Sequence, residues 1–178
     1  NVPDSYEATL DAFRKASRKS DLILTSGGMS VGEADYIKPV VEALGHIDMW
    51  KIAVKPGKPV AKGEVNGVPF LGLPGNPVSS LVTFLIFAQP LILKLSGRRD
   101  IEVKSYNLPL DFDWKGGSRR EFIRVRRNEN GALEAYRTQN SSVLTSCLWA
   151  DGLADIPANA DLKKGDLVRY IPFSGFSL

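Results

Sequence analysis

Thr25-Ser26-Gly27-Gly28-Met29-Ser30-Val31-Gly32-Glu33-Ala34-Asp35 follows the apolar segment 21–25 and leads into a helical pattern. Gly27, Gly28 and Gly32 allow positive φ and close approach of main chain to a ligand, and the helix that follows presents its positive dipole end. The loop is therefore suited to an anion. The same turn also serves as a plain strand-to-helix connection in α/β domains, so alone it decides little. Two more loops change that. Trp50-Lys51-Ile52-Ala53-Val54-Lys55-Pro56-Gly57-Lys58-Pro59 ends a second strand with three lysines, and Leu73-Pro74-Gly75-Asn76-Pro77-Val78-Ser79-Ser80 ends a third and opens a long helix. In an open α/β sheet, ligands bind outside the carboxyl ends of strands, so three such loops are expected to converge on one crevice.

Composition narrows the chemistry. The 178 residues are 43% hydrophobic and 24% charged, as in an ordinary globular chain with one or two cores. One cysteine, Cys147, and one histidine, His46, exclude a disulfide framework and a Cys/His zinc site, leaving carboxylates, lysines, arginines and hydroxyls to do the chemistry. A formal charge of +3 fits an anionic ligand and is too mild to indicate nucleic acid. The first twenty residues are polar, without a basic segment followed by an apolar run, so a cytoplasmic location is expected. The apolar segment 78–95 is broken by Ser79, Ser80, Thr83, Gln89, Pro90 and Lys94, which predicts a buried helix rather than a membrane span. Because the chain starts at Asn1 on the approach to a helix, an upstream part is expected.

Periodicity predicts helices over 5–19, with Asp4 as N-cap, and over 36–44, stopped by Gly45. Strands are expected at 22–24 and 47–54, and a hairpin at 60–65 and 68–73 across Asn66-Gly67. A helix then runs from Pro77 to Leu95, kinked by Pro90. After Gly97 the period changes to short alternating segments at 101–106, 121–126, 133–137, 152–156 and 167–171. The expected organisation is an α/β domain over 1–98, part of a three-layer α/β/α fold, followed by a small all-β, barrel-like domain over 99–178.

Three ordered motifs carry a specific resemblance: 26–36 (SGGMSVGEADY), 55–59 (KPGKP) and 73–79 (LPGNPVS). Followed by a β domain, they resemble the C-terminal part of the molybdopterin molybdenumtransferases, the molybdenum insertases of molybdenum-cofactor synthesis. The resemblance implies insertion of molybdate into adenylylated molybdopterin with release of AMP, a Mg2+ or Zn2+ ion, and a homodimer. It also implies that the first strands and an upstream phosphate loop lie outside this chain, which by itself would then be inactive. Two rivals are the molybdopterin adenylyltransferases, which lack the trailing β domain, and a non-catalytic scaffold module of the same domain family.

Carried over residue by residue, the resemblance makes Asp35 the catalytic aspartate and metal ligand, although a residue just before a helix is equally placed to cap it. Lys51, Lys55 and Lys58 neutralise an oxyanion, with Lys51 and Lys55 assigned catalytic roles and Lys55 and Lys58 molybdate contacts; solvated surface lysines are the bland alternative. Ser26, Gly27, Gly28, Ser30, Gly32, Pro74, Gly75, Asn76 and Pro77 hold the pterin, with helix capping the competing role for Asn76. Ser79, Arg124 and Ser141 complete the molybdate set. Asn140 stands where the family usually has glycine, which leaves Ser141 against Ser142 open and predicts a left-handed turn at Asn140. Arg119, Arg120, Arg124, Arg126 and Arg127 alternate with apolar residues and read mostly as the wet face of a strand rather than a nucleic-acid patch. His46, Cys147 and the three tryptophans are expected to be structural.

Overall fold

The computed structural model describes residues 2–28 and 36–176. The chain divides into two compact units, residues 1–52 with 57–97, and residues 53–56 with 98–178.

The first unit begins with helix α1 (Tyr6–Ser17), whose N-cap is Ser5 rather than Asp4: the Ser5 hydroxyl accepts from the Ala8 N–H at 3.2 Å. Strand β1 (Ile23–Ser26), helix α2 (Ile37–Leu44) and strand β2 (Gly45–Met49) follow. The strand expected at 47–54 is divided. Its first part falls in β2, and its last residue opens β3 (Val54–Lys55), which pairs in the second unit. β2 carries a register irregularity between Ile47 and Met49, the last pair of the strand being Met49 with Lys62. Strands β4 (Ala61–Val65) and β5 (Val68–Leu73) form the expected hairpin. Asn66 at φ 49° and Gly67 at φ 83° supply the two positive angles of a type I′ turn.

These strands make one sheet in the order β1-β5-β4-β2. β1 and β5 are parallel, and β4 is antiparallel to both β5 and β2. The period of two along β5 decides the layering. Phe70 packs with Phe13 of α1 and with Val40 and Val41 of α2 on one face. Leu71 and Leu73 turn to the other, against Ala88 and Phe84 of the long helix. The result is α/β/α in three layers.

That helix comprises α3 (Pro77–Thr83), a π-helical turn (Phe84–Ala88) and α4 (Gln89–Leu95). The predicted disturbance at Pro90 takes the form of this π turn. Proline has no N–H to give and crowds the carbonyl four residues back, so the preceding turn widens, with the Gln89 N–H reaching Phe84. By length and composition alone Pro77–Leu95 could cross a membrane. Val78, Val82, Leu85 and Ala88 are nevertheless buried against this unit.

The second unit is β-rich: β6 (Tyr106–Pro109), β7 (Trp114–Lys115), β8 (Arg120–Arg127), β9 (Leu133–Ala135), a helical turn α5 (Thr145–Trp149), β10 (Gly152–Ile156), β11 (Asp161–Leu162) and β12 (Leu167–Pro172). The main sheet runs β3-β8-β10-β12-β6, with β9 on β8 and a separate β11-β7 pair. It curls, and one bridge between Leu110 and Leu133 joins the end of β6 to β9 without closing a full barrel. Residues 101–105 are not strand, and the module expected to be all-β contains the helical turn α5 between two of the expected segments. Leu110, Ile123, Val125, Leu133, Ala154 and Ile156 fill the interior.

Two tests follow. Phe70 is fully buried with its ring 5.7 Å from that of Phe13, so Phe70→Ala should cost about 3–5 kcal/mol in urea denaturation. Tyr170 gives its hydroxyl proton to Asp151 Oδ1 at 2.8 Å, and burial, reinforced by that carboxylate, pushes its pKa up. The raised folded-state pKa makes its contribution present below the ordinary tyrosine value of about 10 and lost as pH rises beyond it. Stability measured above that pH should fall, and Tyr170→Phe should flatten the fall.

Candidate functional site

In the first unit the carboxyl ends of β1 and β5 lie side by side, with Ser26 opposite Leu73. The Gly27 N–H prolongs the pairing onto the Leu73 carbonyl at 3.0 Å. A Cβ on Gly75 would stand 3.2 Å from the Gly27 Cα, so the two loops meet backbone to backbone where side chains would hold them apart. Beside them a cleft of about 400 Å³ is lined by Leu24, Thr25, Ser26, Gly27, Gly28 and Tyr36, among others. β2 runs in the same direction as β1 and β5, but β4 separates it from them, so the three loops do not follow three adjacent strands.

Among the described residues, Thr25 Oγ1 and Asn76 Oδ1 at this edge are buried without a hydrogen-bond partner. Asn76 occupies the N-cap position of α3, yet its side chain makes no capping bond. Capping therefore does not account for it. A buried acceptor left unmatched is costly, and a ligand carrying N–H or O–H donors, as a pterin does, would satisfy both. Pro77 fills the first helical position, and Ser79 is 6% exposed one turn in. Pro74 and Gly75 complete this turn. Ser30, Gly32 and Asp35 lie outside the described residues. Among the described residues no three His, Cys, Asp or Glu side chains group to hold a metal ion.

The second unit contains a different kind of site. Arg124, on β8, is 1% exposed, contrary to the wet face that alternation predicts. Ile123 and Val125 point into the core, while the segment carrying Gln139, Asn140 and Ser146 covers the opposite face. Gln139 imitates a neighbouring strand: its Oε1 accepts from the Arg124 N–H at 2.8 Å and its Nε2 donates to the Arg124 carbonyl at 3.0 Å. The guanidinium gives Nε–H to Ser146 Oγ at 3.1 Å and one Nη2–H to the Asn140 carbonyl at 3.0 Å. No carboxylate pairs with it among the described residues, and burial pulls its pKa down from the ordinary arginine value. It remains a cation. With Nε and one Nη2 proton engaged, the Nη1 side of the fork is left for an anion.

Asn140 accepts from both the N–H and the hydroxyl of Ser142. Its φ is not positive, so the left-handed turn expected there is replaced by this side-chain turn, which asparagine's carbonyl permits. Ser142 is thereby occupied, while the partly buried Ser141 hydroxyl enters no such bond. Lys55 reaches Glu121 Oε1 at 3.1 Å. Lys51 is exposed and lies outside any strand, so it shares no strand face with Lys55. The Lys58 backbone carbonyl accepts from the Ile52 N–H at 3.1 Å, which shapes its loop. Of the remaining arginines, Arg120 makes a two-point bond to the buried Asp155, and Arg126 stacks on Trp149 at 4.6 Å.

Gln139, Ser146 and Glu121 are functional neighbours that the sequence did not single out. Gln139 and Ser146 lie 15 and 22 residues from Arg124, and no local pattern announces a contact at that range. Ser146→Ala should leave the Arg124 Nε–H buried and unmatched. A loss of about 1–3 kcal/mol in chemical denaturation is expected.

Comparison with known proteins now bears on these sites. Residues 1–94 match the family described as a probable molybdopterin binding domain, and residues 107–173 match the MoeA C-terminal region (domain IV). The chain is 53% identical over 98 residues to a molybdopterin molybdenumtransferase of Haemophilus influenzae, an alignment covering 55% of this chain and 24% of the relative. It is 37% identical over 163 residues to the molybdenum cofactor synthesis protein cinnamon of Drosophila melanogaster, covering 88% and 27%. The crystal structure of the molybdopterin biosynthesis MoeA protein from Pyrococcus horikosii superposes with a TM-score of 0.79 at 31% identity, over 97% of this chain and 42% of that one. The chain thus matches only about a quarter of these two curated relatives. Within that span, fold, motif order and both domain matches agree, and the chain belongs to the molybdopterin molybdenumtransferase (MoeA) family.

Proposed function

We propose that this chain serves molybdenum-cofactor synthesis by inserting molybdate into adenylylated molybdopterin, with release of AMP. The observation that carries the reading is Arg124, 1% exposed, with two neutral partners for its guanidinium and no carboxylate among the described residues. An ion buried without a counter-charge is unfavourable by several kcal/mol. A fold that retains one supplies the missing charge from outside. A tetrahedral dianion such as molybdate matches a guanidinium fork in charge and geometry.

In the first unit, the backbone around Gly27 and Gly75 and the unmatched acceptors of Thr25 and Asn76 support a pterin in the cleft. Gly28, Ser26, Pro74 and Pro77 shape the same edge, and Ser79 adds a hydroxyl in the first turn of its helix. Lys55, Lys58 and Ser141 are assigned to molybdate alongside Arg124, and Lys51 to the charge around it. Asp35, with Mg2+ or Zn2+, belongs to the same proposal, as do Ser30 and Gly32 and a cytoplasmic homodimer; these rest on the family resemblance. When bound, the metal would stabilise negative charge on the adenylate.

The test is molybdate-dependent AMP release from adenylylated molybdopterin, measured in a protein of the family's full length carrying this chain. Arg124→Lys keeps the charge and loses the fork, so AMP release should fall by at least about tenfold while adenylylated molybdopterin still binds. Undiminished release would remove Arg124 from the reaction. A protein that cleaves the adenylate equally well without molybdate would overturn the insertase reading.

A further inference from the structure

Lys55 and Glu121 form a charged cross-link that the molybdate reading does not by itself require. Glu121 is 2% exposed, and three donors converge on its carboxylate. Lys55 Nζ and the Gly117 N–H reach Oε1 at 3.1 and 3.3 Å, and Trp114 Nε1 reaches Oε2 at 3.2 Å. The Lys55 side chain is 45% exposed. Its ammonium has three protons, so with one on Glu121 the other two remain for a further acceptor.

The backbone around Lys55 is held separately. β3 is two residues long and pairs with β8 only at Val54–Arg120 and Lys55–Glu121. The Arg120 N–H meets the Ala53 carbonyl and Arg119 Nη1 meets the Val54 carbonyl, each at 3.1 Å. Those bonds fix the main chain but leave a flexible four-carbon stem free to swing. Glu121 fixes its end.

The pairing also has an electrostatic consequence. A carboxylate beside Lys55 cancels its positive charge at a distance, so Glu121 weakens the general attraction of this region for anions. Direction is what it contributes. We propose that Glu121 is a positioning residue that aims the Lys55 ammonium at the oxyanion; this rests on the molybdate reading of Lys55.

The sign of one effect separates aim from charge. Glu121→Gln keeps an acceptor for the Gly117 N–H and raises the net charge by one. If charge alone matters, calorimetric titration of the chain with molybdate will show tighter binding. Positioning predicts binding weakened about tenfold, partial recovery in Glu121→Asp, and no further loss when Glu121→Gln is added to Lys55→Gln. Tighter or unchanged binding in Glu121→Gln, with Lys55→Gln still harmful, would overturn the proposal. Lys55→Gln without effect would instead overturn the molybdate reading beneath it. A second measurement needs no molybdate: acetylation of Lys55 by acetic anhydride, followed by mass spectrometry, should be faster in Glu121→Gln and slowed again in Glu121→Asp. Equal rates in all three proteins would show that Glu121 does not hold the ammonium, and would overturn the proposal.

Discussion

A guanidinium left only 1% exposed constrains the segments around it. Arg124 sits at the middle of β8, with β10 paired on one side and the Gln139 amide completing the other. Its Nε–H and one Nη2–H are matched by neutral oxygens, and its charge is not matched at all among the described residues. Neutral acceptors satisfy hydrogen bonds without neutralising an ion, so the desolvation cost persists until an anion arrives. The segment 139–146, which runs into α5, supplies the Gln139, Asn140 and Ser146 atoms that bond to this residue. The same strand carries two further charges in compensated form: Glu121 with Lys55, and Arg120 with Asp155. Beside those pairs, Arg124 has no carboxylate partner among the described residues, which is the basis of the proposed molybdate contact.

The first unit solves a different problem, the approach of a ligand to main chain. Its parallel pair β1 and β5 ends at two glycine turns that touch. The helix Pro77–Leu95 begins there, packed beneath the sheet through Val78, Val82 and Ala88, so the turns rest on a buried base. The orphan acceptors of Thr25 and Asn76 mark the same edge as incomplete without a donor.

Much of this was legible from local pattern because local physics decides it. The Asn66-Gly67 turn, the stop at Gly45 and the period of α2 each depend on a few neighbouring residues. What failed depended on contacts remote in sequence. Residues 53 and 54 read as the tail of a strand in the α/β domain, but their hydrogen-bond partners are Arg119 and Arg120, some 65 residues on. Arg124 read as wet because alternation assumes that only one face of a strand is covered, and the covering segment itself has no strand signal. Asn140 read as a left-handed residue because its carboxamide competes less visibly in sequence than in space, where it takes the Ser142 hydroxyl and N–H. The glycine loop could be recognised by motif, whereas Asp35, its proposed chemical centre, lies outside the described residues.

Whether Arg124 is held for an oxyanion is measured most directly by the thermal stability of the chain in molybdate. A ligand that binds only the folded state raises the midpoint, and more so the further its concentration exceeds its Kd. Molybdate should raise the midpoint of the unsubstituted chain more than sulfate does at equal ionic strength, and should do so far less in Arg124→Lys. Equal stabilisation of both proteins by molybdate would contradict the account, since the buried fork would then have no part in holding the anion.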